Sequence, residues 1–161
     1  MESTKSKVTN TSIYYTYNNI AIIACTITAI LHGRSQIPMS KVSVLLPFLL
    51  DDSITEKLVN LNYGSLDALI QQNRISLANF NNRYKDLLPQ MIDSIAILLD
   101  MNIVSLFGET ARLIDNSFYT EMQQNNQSER LDSICKAIDK LMPLVEKQDM
   151  SRIYSKLNIL L

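Results

Sequence analysis

The chain has 161 residues, of which 47% are hydrophobic and 19% charged, and its formal net charge is −1. This length fits one domain with its own core, so the composition excludes an intrinsically disordered chain, and the near-zero charge argues against a protein that mainly coats nucleic acid or an acidic membrane. The three glycines (Gly33, Gly64 and Gly108) are too few and too scattered for a glycine-rich phosphate loop, which excludes a Rossmann or P-loop nucleotide site.

The N-terminal part of the sequence predicts a tail followed by a helix. Residues 1–12 are polar and unpatterned, and we expect a flexible tail there, ahead of one domain over 13–161. Apolar residues at helical spacing predict a first helix over 19–32, with an asparagine at position 18 or 19 as N-cap and Gly33 as a left-handed stop. The apolar run in this helix is too short to cross a bilayer, so it indicates a core helix.

Three further helical segments are predicted before residue 75. The first covers 40–50 and contains Pro47, which predicts a kink or two short pieces. Ser53-Ile54-Thr55-Glu56 is a capping-box sequence and predicts the start of the second. A break at Gly64 and Ser65 then predicts a third segment that ends near residue 73.

The middle of the chain predicts two helices and a hairpin. Apolar residues at helical spacing indicate a helix over 76–88, and Pro89 is well placed as the first residue of a second helix that ends near Asn102. The spacing then changes to alternation, which predicts strands at 103–107 and 111–114 around Gly108. The order helix, turn, helix, hairpin predicts a winged-helix-like centre at about 76–114.

The last third of the chain is again predicted to be mostly helical. Residues 116–127, rich in asparagine and glutamine, indicate a loop or weak helix, and Ser128 caps a helix that Pro143 interrupts. Apolar residues at helical spacing predict a last helix over 151–161, and its part over 153–161 is a strongly apolar end that is either core or contact surface. We therefore predict a mainly α-helical single domain with a small β-hairpin.

A winged helix raises the question of DNA binding. The predicted second helix, 89–102, contains no lysine or arginine and carries Asp93 and Asp100, which would repel a phosphate backbone. The hairpin offers Arg112 against Glu109 and Asp115. The pattern favours a scaffold for protein contacts, with a winged-helix DNA-binding transcriptional regulator as the alternative.

The sequence shows no set of residues for catalysis. His32, the only histidine, is expected at a helix end and has no nucleophile or orienting acid near it in sequence. Cys25 and Cys135 lie 110 positions apart in apolar helical patterns, which is typical of buried thiols in a reducing, cytoplasmic setting. The acidic residues at 51, 52 and 56 are more typical of helix caps than of a metal site. We expect no enzyme, no cofactor and no metal.

Apolar and aromatic residues in three places are the candidates for partner binding. Tyr14 and Tyr15 belong to the densest aromatic group, which suits a partner surface or packing against the first helix. The hairpin and the last helix supply the others, which are Leu106, Phe107, Leu113, Ile153, Tyr154 and Leu157.

The order of elements resembles the middle components of bacterial three-component ABC systems, the small subunits of Lamassu-type defence operons. Three stretches carry the resemblance, which extends over residues 14–161. They are Tyr17-Asn18-Asn19 leading into the first helix, the Leu-Pro segment of 40–50, and Phe80 to Tyr84 with Leu88-Pro89 and the strand 103–107. Ile20 stands where the family usually has a proline.

The resemblance implies a non-enzymatic adaptor subunit. It would bind an SMC/Rad50-like ATPase and link it to an effector, commonly a nuclease, in an anti-phage or anti-plasmid complex. DNA would then be met only through the complex, and neither a membrane nor a small-molecule substrate would be involved.

Overall fold

The computed structural model describes residues 19–160, which form nine helices and one small sheet. The helices are α1 (Ile20–Leu31), α2 (Met39–Leu49), α3 (Asp52–Asn60), α4 (Leu66–Gln72), α5 (Arg74–Leu77), α6 (Phe80–Asp100), α7 (Asn116–Gln124), α8 (Glu129–Glu146) and α9 (Met150–Lys156). The strands are β1 (Ile37–Pro38), β2 (Val104–Phe107) and β3 (Thr110–Leu113). The predicted mainly helical fold is confirmed, and the predicted tail over 1–12 lies outside the described residues. None of these nine helices has the length and hydropathy to cross a membrane.

Helix α1 lies at the centre of the core, between α6 and α8. Asn19 caps it, accepting a hydrogen bond from the backbone N–H of Ile22 at 3.1 Å, and Gly33 follows with φ +72°, as the sequence predicts. The buried hydroxyls of Thr26 and Thr28 donate to backbone carbonyls one turn earlier, which satisfies them inside an apolar environment. An almost entirely buried helix is therefore built from a sequence that contains two threonines.

Helix α6 is one continuous helix, and the predicted break at Pro89 is wrong. The helix buries apolar residues on both sides of that proline, from Phe80 to Leu87 and from Met91 to Leu98. This packing against α1 and α2 outweighs the backbone hydrogen bond that a proline removes from a helix interior. There is no turn between two helices here, so the predicted winged-helix-like centre is not confirmed.

The hairpin is confirmed, and a third strand joins it. Strands β2 and β3 pair in antiparallel register, with Phe107 opposite Thr110 and Gly108 at φ +56° in the turn. The two-residue strand β1 pairs with the other side of β3, so the strand order is β1-β3-β2. Pro38 stands on this outer strand, where the missing N–H of proline costs least. A strand of two residues is too short to show an alternation of apolar and polar side chains, so the sequence contains no pattern that predicts β1.

Other element boundaries differ from expectation for local reasons. The N-cap of α3 is Asp51 and not Ser53, because the Asp51 carboxylate accepts the backbone N–H of Ile54 at 3.0 Å. Helices α2 and α8 continue through Pro47 and Pro143, each with its apolar side buried. The segment after the hairpin forms α7, although none of its residues is fully buried.

Tyr154 on α9 gives the fold a dependence on alkaline pH. Its ring meets that of Tyr84 edge-on at 6.3 Å between centroids, and burial, with a hydrogen bond to Tyr84, raises the pKa of Tyr154 to about 12 from 10.0. The folded state therefore holds this proton more tightly than the unfolded state does. The associated stability is fully present below about pH 10 and is lost as the pH rises to about 12.

Replacing Tyr154 by phenylalanine should flatten this part of the stability profile. We expect the free energy of unfolding of Tyr154→Phe to fall less steeply than that of the wild type between about pH 10 and about pH 12. Denaturant unfolding at several alkaline pH values measures both profiles, and Tyr63→Phe, at another half-buried tyrosine, is the control. Parallel profiles for all three proteins would contradict the assignment.

Candidate partner interface

The exposed apolar side chains are concentrated in one stretch of the chain. Nine large hydrophobic residues are exposed within 19–160, and five of them fall between positions 92 and 107. These five are Ile92, Ile97, Met101, Leu106 and Phe107. An isolated exposed hydrophobic residue is ordinary, whereas several along one helix and the adjoining strand indicate a surface that another molecule covers.

The outer side of α6 carries Ile92 and Ile97 together with three carboxylates, and Met101 follows as its C-cap residue. At 100° per residue, Asp86, Asp93 and Asp100 follow one another at intervals of seven and form a single line along the helix. Ile92 lies on one side of that line, and Ile97 and Met101 lie on the other side. We call these six residues the α6 face. Their side chains are all exposed.

The hairpin adds an apolar tip next in sequence to the end of α6. Phe107 is 61% exposed, and the Arg112 guanidinium carbon lies 4.9 Å from its ring centroid. Arg112 also donates from Nε to the Ser105 hydroxyl at 3.1 Å, which fixes the cation on the outer side of the sheet. Leu106 is 41% exposed. Strand β2 is at the edge of the sheet, so an apolar strand edge lies beside these side chains.

The charge of this region is uniformly acidic up to Arg112. Between Asp86 and Ala111 the sequence has four acidic residues, the fourth being Glu109, and no lysine or arginine. Within residues 19–160, no cation forms an ion pair with any of the three aspartates of the α6 face. Lys85, which is exposed and directly precedes Asp86, is the nearest cation in the sequence. The surface therefore combines apolar groups with a net negative charge, which is unsuited to a phosphate backbone.

A polar hollow of about 210 Å³ lies between α1, α7 and α8 and contains the only histidine. The His32 ring stacks on Tyr119 at 3.7 Å between centroids, and no described residue gives its Nδ1 a hydrogen bond. Gln123 donates to the Cys135 sulfur at 3.3 Å. Burial raises the pKa of the Cys135 thiol and that of Cys25, which keeps both protonated near neutral pH and therefore weak nucleophiles.

The adjacent aspartates at the start of α3 are used in ion pairs. Asp51 pairs with Arg83 of α6, and Asp52 pairs with Arg130 of α8 at 3.0 Å. Both cations come from distant positions in the sequence, so these carboxylates join three helices. Among the described residues, no group of three histidine, cysteine or acidic side chains is arranged to hold a metal ion.

The residues predicted to bind partners lie at opposite ends of α6. Leu106, Phe107 and the half-buried Leu113 follow its C-terminal end, whereas α9 contacts its N-terminal part through Tyr154 and Tyr84. A helix of 21 residues is roughly 30 Å long, so the two groups form no single patch.

The candidates on α9 also differ from those of the hairpin in their burial. Ile153 and Leu157 are buried in the core and Tyr154 is half-buried, so the candidate interface defined here does not include these three residues. Tyr14 and Tyr15 lie outside the described residues.

The sequence was also compared with known protein families, curated proteins and solved structures. Residues 7–160 match the model of a family described as ABC-three component (ABC-3C) system Middle Component 3. The chain belongs to this family. The match covers nearly the whole chain and includes both the α6 face and the hairpin. No curated protein and no solved structure shows significant similarity to the chain.

The α6 face of this Middle Component 3 protein was missed by the sequence analysis. Helical spacing counted from Pro89 predicts an apolar row of Ile92, Ile95 or Ala96, and Leu99. The structure buries Ile95, together with Met91 and Leu98, but exposes Ile92 and Ala96 and leaves Leu99 half-buried. The exposed residues could have been identified from the helical phase of the preceding turns, that is, from which side of the helix the apolar residues before Pro89 occupy. Continuing the spacing of Phe80 across Pro89 turns Met91 inward and leaves Ile92 outside.

Proposed function

We propose that this chain is a non-enzymatic adaptor subunit that binds an SMC/Rad50-like ATPase. It links the ATPase to an effector, a nuclease, in a bacterial anti-phage or anti-plasmid defence complex of the Lamassu type. Membership of the Middle Component 3 family supports the proposal, because the family description places its members in a three-component system. DNA is met through the other subunits of the complex.

One observation carries the proposal: the exposed apolar residues are gathered on α6 and the hairpin. A chain of this size has enough apolar residues to fill its own core, and the core is filled. Apolar side chains that remain outside it, and that follow each other along 92–107, are typical of a surface with a protein partner. The raised thiol pKa values and the ion-paired aspartates favour binding over chemistry.

The proposal predicts recovery of co-encoded subunits in a pull-down. The tagged chain, expressed with its native neighbouring genes, should retain a large coiled-coil ATPase and an effector that mass spectrometry identifies. A double variant at the hairpin, Leu106→Ser with Phe107→Ser, should reduce the recovery because it removes apolar contact area.

The matched control is Ile75→Ser. Ile75 is 95% exposed and lies on α5, outside the stretch from 92 to 107, so its replacement should leave recovery unchanged. Recovery of the tagged wild-type chain without any ATPase would contradict the adaptor function.

A further inference from the structure

We propose that the α6 face binds a partner protein's helix that presents a basic face, one whose lysine or arginine residues run along the line of Asp86, Asp93 and Asp100. The inference rests on the proposed function and specifies the chemistry of the partner surface. A docking site for a helix needs apolar contacts to bury and a feature that sets register, and the α6 face has both.

The apolar side chains of the α6 face lie along both sides of the aspartate line, and we call these two sides its apolar borders. Ile92 is 63% exposed on one side of the aspartate line, and Ile97 and Met101 are 43% and 55% exposed on the other. The methylene stems of lysine and arginine pack on such aliphatic groups while their charged ends reach outward. A partner helix lying along α6 would therefore cover the isoleucines with the stems of its basic side chains.

The carboxylates set the charge and the register of this partner. Asp86, Asp93 and Asp100 are exposed, and no ion pair within residues 19–160 uses them. Of the twelve other acidic residues within 19–160, four are in ion pairs, which are Asp51, Asp52, Asp67 and Glu146, so the three aspartates are distinguished by their alignment beside exposed apolar residues and not by the lack of a cation. From Asp86 to Met101 the face extends roughly 22 Å, which is about four turns of a partner helix.

A second copy of this chain does not fit the α6 face. Two copies of α6 packed through it would bring the aspartate lines together with no lysine or arginine between 86 and 101 to compensate them. Like charges in direct apposition across an interface are strongly unfavourable. The charge pattern therefore requires a partner of opposite sign, and it disfavours nucleic acid for the same reason.

A charge reversal tests this inference in the complete complex. The tagged chain carrying Asp93→Lys and Asp100→Lys, expressed with its native neighbouring genes, should recover roughly tenfold less of the co-encoded subunits than the wild type. The conservative pair Asp93→Glu and Asp100→Glu should keep most of the recovery. Wild-type recovery should also fall as the salt concentration of the wash rises.

A matched control reverses two charges elsewhere. Glu121→Lys with Asp139→Lys gives the same change in net charge at exposed positions of α7 and α8, and it should leave recovery unchanged. Circular dichroism melting of every variant shows whether the chain still folds. A variant at the apolar borders, Ile92→Ser with Ile97→Ser, should weaken recovery at every salt concentration.

Three results would overturn the inference. If the wild type recovers the co-encoded subunits and the charge reversal and border variants recover them equally well, the adaptor function stands and the docking site is wrong. If the wild type recovers no co-encoded subunit, both fail. If sedimentation shows a dimer of the purified chain that dissociates in Ile92→Ser with Ile97→Ser, the occupant is a second copy.

Discussion

Replacing Phe48 by alanine should lower the free energy of unfolding by about 3–5 kcal/mol. Phe48 lies on α2, its side chain is fully buried, and its ring centroid is 4.7 Å from that of Phe80 on α6. The substitution removes the ring from the core and leaves a cavity, which the helices on either side cannot close without losing their own contacts. Denaturant unfolding followed by circular dichroism should show a lower midpoint with an unchanged slope.

Phe107→Ala is the control for this change because it removes the same ring at an exposed position. Phe107 contributes a contact with Arg112 and little burial, so its loss should cost less than about 1 kcal/mol. The same variant removes apolar area at the hairpin tip. Equal losses of stability at positions 48 and 107 would contradict the placement of Phe48 in the core.

Three of the four N-caps predicted from the sequence are confirmed, the exception being Ser53, two residues after the actual cap Asp51. Asn19, Ser65 and Ser128 each cap a helix by accepting a backbone N–H three residues later. Capping depends on the residue itself and on its immediate neighbours, so it can be read without knowledge of the tertiary structure. The hairpin around Gly108 was also predicted correctly, because its signal lies in the turn residue and the alternation of the residues beside it.

Prolines were the main source of error. Pro89 and Pro143 lie inside continuous helices, whereas the sequence predicts a new helix at the first and an interruption at the second. At Pro47 the predicted alternative of two short pieces is wrong, because α2 is one helix. A proline acts locally by removing one hydrogen bond, and the opposing free energy comes from apolar residues packed on distant helices. Those residues come from separate parts of the chain, so local sequence does not show which effect is larger.

The error at Pro89 had a direct consequence for the candidate site. It reset the helical phase and turned Ile92 inward, which hid the α6 face. The predicted break also created a separate second helix in the position of a recognition helix, and the DNA-binding alternative was based on that helix. With one helix from Phe80 to Asp100, the acidic residues form a continuous line on the outside. Correcting one boundary therefore reveals the exposed surface and removes the separate second helix on which the DNA-binding alternative rested.

The other large stability effect is expected at Asp51. Replacing it by alanine should lower the free energy of unfolding by about 2–4 kcal/mol, because two interactions are lost together. The Asp51 carboxylate caps α3 by accepting the N–H of Ile54 at 3.0 Å, and it forms an ion pair with Arg83 of α6. Both side chains of that pair are mostly shielded from water, at 14% and 17% exposure.

Asp51→Ser separates the two interactions, because a serine hydroxyl can still accept the N–H of Ile54 but cannot form the ion pair. Its stability should therefore lie between those of the wild type and Asp51→Ala. Asp52→Ala is the matched control at the neighbouring residue. Its pair with Arg130 involves a carboxylate that is 55% exposed, so the loss should stay within about 1 kcal/mol. Denaturant unfolding of all three variants measures these differences, and a larger loss at Asp52 than at Asp51 would show that the exposed pair is the stronger tie between α3 and the rest of the fold.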